Sequence, residues 1–128
     1  MTSHVGIAAL LALALAAPAQ AATVSATTGA SGIYGVAAGD VLFDAAPGES
    51  NRVSMQLVDG SRGVVEVRED GAPLVAGARC TLVGTGVARC DAAADFVSAT
   101  VNTGDGDDSV TIDDPLFGMV NAGRRRLR

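Results

Sequence analysis

The sequence has no lysine and no tryptophan, and its single histidine is His4. With no histidine or lysine beyond the first few residues, Ser-His-Asp, Cys-His and Schiff-base chemistry are all excluded. A carboxylate pair, as in glycoside hydrolysis, is the one common catalytic device left. The clustered acids suit it poorly, because they are expected in a flexible Gly-rich turn with no aromatic platform. No enzyme activity is expected. Aromatics are also scarce: Tyr34, Phe43, Phe96 and Phe117 are all there are. A core must therefore come from Val, Leu, Ile, Met and Ala, which bury less per residue than rings. All positive charge is arginine, and four of the nine arginines are Arg124, Arg125, Arg126 and Arg128. The formal net charge is −5, and Asp105, Asp107, Asp108, Asp113 and Asp114 fall within ten positions. Nucleic acid is not expected as a partner, since binding it requires a basic face. The acidic balance is compatible with a cation.

The apolar run from Val5 to Ala17 is too short to span a bilayer, which takes about 20 residues. Pro18 ends it, and Ala17-Pro18-Ala19 and Ala19-Gln20-Ala21 both fit a small-residue cleavage site. Residues 1–21 are read as a secretory signal peptide cleaved after Ala21, although the n-region lacks Lys and Arg. The expected location is extracellular, with no membrane span in the mature chain. Cys80 and Cys90 agree with export. In an oxidising compartment an even cysteine count in a small domain reads as a disulfide. This one would staple a hairpin across Gly84-Thr85-Gly86, a loop short enough to give about 3 kcal/mol in the chain-entropy model. The pair lacks the C-x-x-C spacing of redox enzymes and has no histidine with which to complete a zinc site.

Beyond residue 21 the apolar residues alternate and show no helical period. Val53, Met55 and Leu57 share one face of a strand, with Ser54 and Gln56 on the other. Val65 and Val67 alternate with Glu66 and Arg68 between the turn signals Asp59-Gly60 and Asp70-Gly71. Val41 to Phe43, Thr81 to Val83, Val87 to Arg89, Phe96 to Val101 and Val110 to Ile112 are further short strands. The expected fold is all-β, a small sandwich-like or roll-like domain. Its β-rich head spans 22–101, a Gly/Asp turn region spans 102–123 and a basic tail 124–128. Ala22 to Gly39, rich in Thr, Ser, Gly and Ala, reads as a mobile arm or an edge strand of slack register.

One motif carries chemistry. Gly104-Asp105-Gly106-Asp107-Asp108-Ser109-Val110-Thr111 comes close to the calcium-binding nonapeptide G-G-x-G-x-D-x-U-x, with Thr103 in place of the first glycine. Calcium takes six to eight oxygens. Glycines let the backbone turn so that carbonyls converge on the ion. The expected metal residues are Gly104, Asp105, Gly106, Asp107 and Asp108, with Asp108 at the ligand position. A solvated loop between two strands is the alternative. Val101-Asn102-Thr103-Gly104 echoes in Val120-Asn121-Ala122-Gly123.

The runs Leu42 to Val53, Glu69 to Leu74 and Ala76 to Cys80, then Cys90 and Gly104 to Asp108, together resemble the amino-terminal region of secreted bacterial calcium-binding proteins of the RTX (haemolysin-type repeat) class. The resemblance covers about Val41 to Ile112. It implies secretion, a β-rich head with a cysteine pair, and calcium-dependent folding of a repeat region between whose turns the ions sit. It does not imply an enzyme. The chain departs from the family where a repeat array should follow, and reads Arg124-Arg125-Arg126-Leu127-Arg128 instead. The expectation is a truncated or frame-shifted relative; a basic tail for an anionic surface is the alternative. The functional expectation is a secreted calcium-binding protein with one weak site. Its rival is a secreted structural or adhesive β-domain with no metal. The sequence points to no particular partner.

Overall fold

The structure, a computed structural model, describes residues 21–29, 37–104, 106–113 and 116–121. The signal-peptide reading, apart from Ala21, and the basic tail fall outside these residues. Among the described residues ten strands form in order: β1 (Ala22–Thr28), β2 (Ala38–Asp44), β3 (Arg52–Asp59), β4 (Val64–Glu69), β5 (Leu74–Ala76), β6 (Cys80–Gly84), β7 (Val87–Asp91), β8 (Phe96–Asn102), β9 (Ser109–Ile112) and β10 (Phe117–Asn121). No helix occurs among the described residues, and none there is long and apolar enough to cross a membrane.

The strands make two mixed sheets of five, ordered β10-β8-β2-β1-β5 and β6-β7-β4-β3-β9. Period-2 alternation builds the core between them. Val24 and Ala26 of β1, Val41 and Phe43 of β2, and Val97, Ala99 and Val101 of β8 face Val53 and Met55 of β3, Val65 and Val67 of β4, and Ala88 and Cys90 of β7. The all-β expectation holds, and so does the disulfide. Cys80 and Cys90 lie opposite each other on β6 and β7 and are bonded. A cross-link closing so short a loop restrains edge strand β6 against the interior of its sheet, by about 2–4 kcal/mol.

Ala22 to Gly39 corrects the sequence reading. Residues 22–28 are neither an arm nor an edge. They form β1, in the interior of its sheet, paired antiparallel with β2 and parallel with β5. Its small residues suit tight quarters. Ala22, Val24 and Ala26 are buried, and the Thr28 hydroxyl donates to the Ala92 carbonyl at 2.6 Å. Low hydrophobicity there reflects close packing rather than slack pairing. The strands β5 and β10 were not marked by the alternation at all.

Two features of the topology position the site. β2, β8 and β10 run parallel in one sheet, and β3 and β9 run parallel in the other. The chain therefore crosses from one sheet to the other twice at the same end, once from β2 to β3 and again from β8 to β9, and the second crossing stacks on the first. Asp44, Asn102 and Asn121 end their strands in register. Asn121 Nδ2 donates to Asn102 Oδ1 at 2.8 Å, and Asn102 Nδ2 donates to Asp44 Oδ1 at 3.1 Å. The echo of Val101-Asn102 in Val120-Asn121 is thus a structural equivalence between neighbouring parallel strands.

Candidate metal centre

The alternation that builds the core continues past its apolar members. Val65 and Val67 are followed two places on by Glu69. Val53 and Met55 are preceded by Asn51. Val97, Ala99 and Val101 lead to Thr103, and Val110 and Ile112 are preceded by Asp108. Each polar residue inherits the inward phase of its row. Asn51 and Glu69 are each 2% exposed and Thr103 is fully buried; they are the buried polar residues of the described chain.

Asn51 is the hub. Its Nδ2 donates to Glu69 Oε2 at 2.7 Å and to Glu49 Oε1 at 3.1 Å, and its backbone N–H donates to Asp108 Oδ1 at 2.8 Å. Two carboxylate acceptors on one arm of the amide fix that arm as the nitrogen. Oδ1 therefore points away from both. Glu69 is satisfied: Oε1 accepts from the Arg52 N–H at 2.9 Å and the Gly71 N–H at 2.6 Å. Glu49 Oε1 also accepts from the Ala46 N–H at 3.0 Å. The ion pairs of the described residues, Arg62–Asp91, Arg68–Glu66 and Arg89–Glu66, involve none of these carboxylates.

Among the described residues, four buried side-chain oxygens have no hydrogen-bond partner: Glu49 Oε2, Asn51 Oδ1, Thr103 Oγ1 and Asp108 Oδ2. They come from the two stacked crossings, Glu49 and Asn51 from the first and Thr103 and Asp108 from the second. The crossings are laced together. The Ala45 N–H donates to the Asn102 carbonyl at 2.9 Å, and the Ser109 N–H donates to the Asn51 carbonyl at 2.9 Å. Gly106, at φ +107°, lies so close to the first crossing that a Cβ there would stand 2.3 Å from the Glu49 carbonyl oxygen. Any side chain at 106 would force the crossings apart.

An unpaired buried oxygen costs on the order of 1–3 kcal/mol, more when charged. All four can accept, and none is in an ion pair with an arginine of the described residues, so a cation is the kind of partner that would satisfy them. Two carboxylate oxygens, one amide oxygen and one hydroxyl form a hard, all-oxygen donor set, which suits calcium. Their charge matches a divalent ion. Four ligands leave about two to four positions for carbonyls or water. No three His, Cys, Asp or Glu side chains gather as a metal-holding group among the described residues. Any centre here would therefore have to draw on neutral oxygens such as those of Asn51 and Thr103.

The residues expected from the motif divide. Asp108 is brought to the centre. Gly106 contributes the close approach, and Gly104 turns the chain at φ +64° beside Thr103. Asp107 is described but is not one of the unpaired oxygens, and it has an interaction of its own. Asp105 lies outside the described residues. Glu49, Asn51 and Thr103 were missed. Comparison with protein families, curated proteins and solved structures finds no match for the chain.

Proposed function

We propose that this chain is a secreted calcium-binding β-domain whose ion is shared by the two stacked crossings. The observation that carries the reading is the set of four buried, unpaired oxygens on Glu49, Asn51, Thr103 and Asp108. The apolar run with its A-x-A sites and the disulfide support export. Calcium would neutralise Glu49 and Asp108, which have no ion pair among the described residues. A centre completed partly by water belongs in the weak range of extracellular modules, about 10⁻⁴–10⁻³ M.

Isothermal titration at millimolar calcium tests this on the wild type and on Asp108→Asn. Asparagine keeps the Oδ1 that accepts from the Asn51 N–H and replaces the unpaired Oδ2 with an amino group. The wild type should give a saturable heat and Asp108→Asn should give none. Equal heats, or no binding by either protein, would mean that the crossings are only a polar cap on the core. The metal-free structural reading would then stand.

A further inference from the structure

We propose that the outer face of the β6-β7-β4-β3-β9 sheet binds a linear polysaccharide bearing carboxylates, along a diagonal line of arginines. Four adjacent strands each bring one: Arg79 just before β6, Arg89 on β7, Arg68 on β4 and Arg52 on β3. Register sets the line. Thr81 and Glu66 lie opposite Arg89 on either side, and Ser54 lies opposite Arg68. Each arginine is therefore one strand over and two residues along from the one before, about 8 Å away.

The buried neighbours fix the direction. Val53, Val67, Ala88 and Cys90 face the core, so Arg52, Arg68 and Arg89 point outward. Arg79 is exposed, and its Nε donates to the Asp91 carbonyl at 2.6 Å. The strands of the other sheet carry no arginine. There the outward positions beside buried Val41 and Phe43 are Asp40 and Asp44. The chain is acidic as a whole, yet one sheet collects the arginines of its described strands.

The line already holds one carboxylate. Glu66 Oε1 accepts from Arg68 Nε at 3.0 Å, and Oε2 accepts from Arg89 Nε and Nη2 at 3.3 Å. One acid shared by two arginines fixes both guanidinium groups. It leaves a positive charge and several N–H donors to spare, on side chains that are 56% and 55% exposed. Asp91 is paired with Arg62 at 2.7 Å, and Asp70, just past β4, is in no ion pair among the described residues. The Arg52 guanidinium likewise has no ion pair there. Charge complementarity therefore favours an anion, and the planar arginine fork matches a carboxylate.

The surroundings select a sugar polymer. Thr81 and Gln56 lie in the row of Arg89 and Glu66, and Ser54 and Thr111 lie in the row of Arg68. They offer hydroxyls and an amide to the hydroxyls of a sugar. The described aromatics, Phe43, Phe96 and Phe117, are on strands of the other sheet, so nucleic-acid bases would find no stacking platform here. None of these contacts uses the unpaired oxygens of the candidate metal centre.

Fluorescence anisotropy with labelled oligogalacturonate tests the proposal on the full chain, at low salt in a buffer holding a calcium chelator. The chelator separates this result from the calcium reading. The wild type should bind saturably, release the oligomer as salt is raised, and leave an uncharged dextran oligomer unbound. Arg52→Gln removes a guanidinium that holds no ion pair and should weaken binding about fivefold or more. Arg52→Gln combined with Arg68→Gln should abolish it. Met119→Glu makes the same change in net charge as Arg52→Gln on an exposed residue of the other sheet, and should bind as the wild type does. No binding by the wild type, or undiminished binding by the double variant, would overturn the proposal. So would an equal loss in Met119→Glu, or tighter binding of single-stranded DNA of matched charge.

Discussion

Replacing Glu69 with alanine should destabilise the domain by about 3–5 kcal/mol, read as a fall in the urea midpoint with the slope unchanged. Glu69 is a buried carboxylate that accepts three hydrogen bonds, from Asn51 Nδ2 and from the N–H groups of Arg52 and Gly71. Alanine would strand three donors, the Asn51 amide in a buried position and the Arg52 and Gly71 N–H groups in partly buried ones, and a stranded buried donor costs on the order of 1–3 kcal/mol. It would also release Asn51, whose amide orients Glu49 and whose backbone holds Asp108. Glu69→Gln should fall between the two. Its oxygen can still accept from Arg52 and Gly71, but its amino group meets the Asn51 amino group donor to donor. Loss of less than about 1 kcal/mol in the alanine variant would show that the network does not hold the crossings.

Phe43→Ala should be of similar size, about 3–5 kcal/mol, by thermal or urea unfolding. Phe43 is the largest of the fully buried side chains, set among valines and alanines, whereas Phe96 is exposed. Removing the ring costs its transfer energy and leaves a cavity. The neighbours are small and lie on strands pinned in two sheets, so collapse into that space is limited. Domains of this size hold only about 5–15 kcal/mol in total, so either substitution removes a large share. Phe43→Leu should cost clearly less, because it restores most of the volume.

The strands that alternate Val, Met and Leu with polar residues were legible because one face is buried and the other wet. β3 and β4 show this plainly, and β8 does so with Val97 and Val101. β1 was not legible, because Ala22 and Ala26 carry almost no hydrophobic signal, and small size is what lets them fit. β5 is three residues long and β10 contains a glycine, too little for any period. At the site, Asp108 was legible from the spacing of glycines and aspartates. The other half was not, since Glu49 and Asn51 sit 57 or more residues away, and only the parallel pairing of β3 with β9 brings them together. A signal was nonetheless present. Extending each inward row by one step puts Asn51, Glu69, Thr103 and Asp108 on the core side, and four polar residues ending four apolar rows mark a buried polar cap. What the sequence could not supply was that all four rows end at the same end of the sandwich.

That shared end is the central claim, and Glu49→Gln tests it most directly. Glutamine keeps the oxygen that accepts from the Ala46 N–H and from Asn51 Nδ2, so the fold is left intact, and it turns the unpaired Oε2 into an amino group. Glu49 lies outside the Gly104–Asp108 turn. Calcium titration of this variant should show affinity reduced about tenfold or more, because one of two charged ligands becomes a donor aimed at the cation. Calcium binding equal to the wild type would contradict the account, and would place any ion on the second crossing alone.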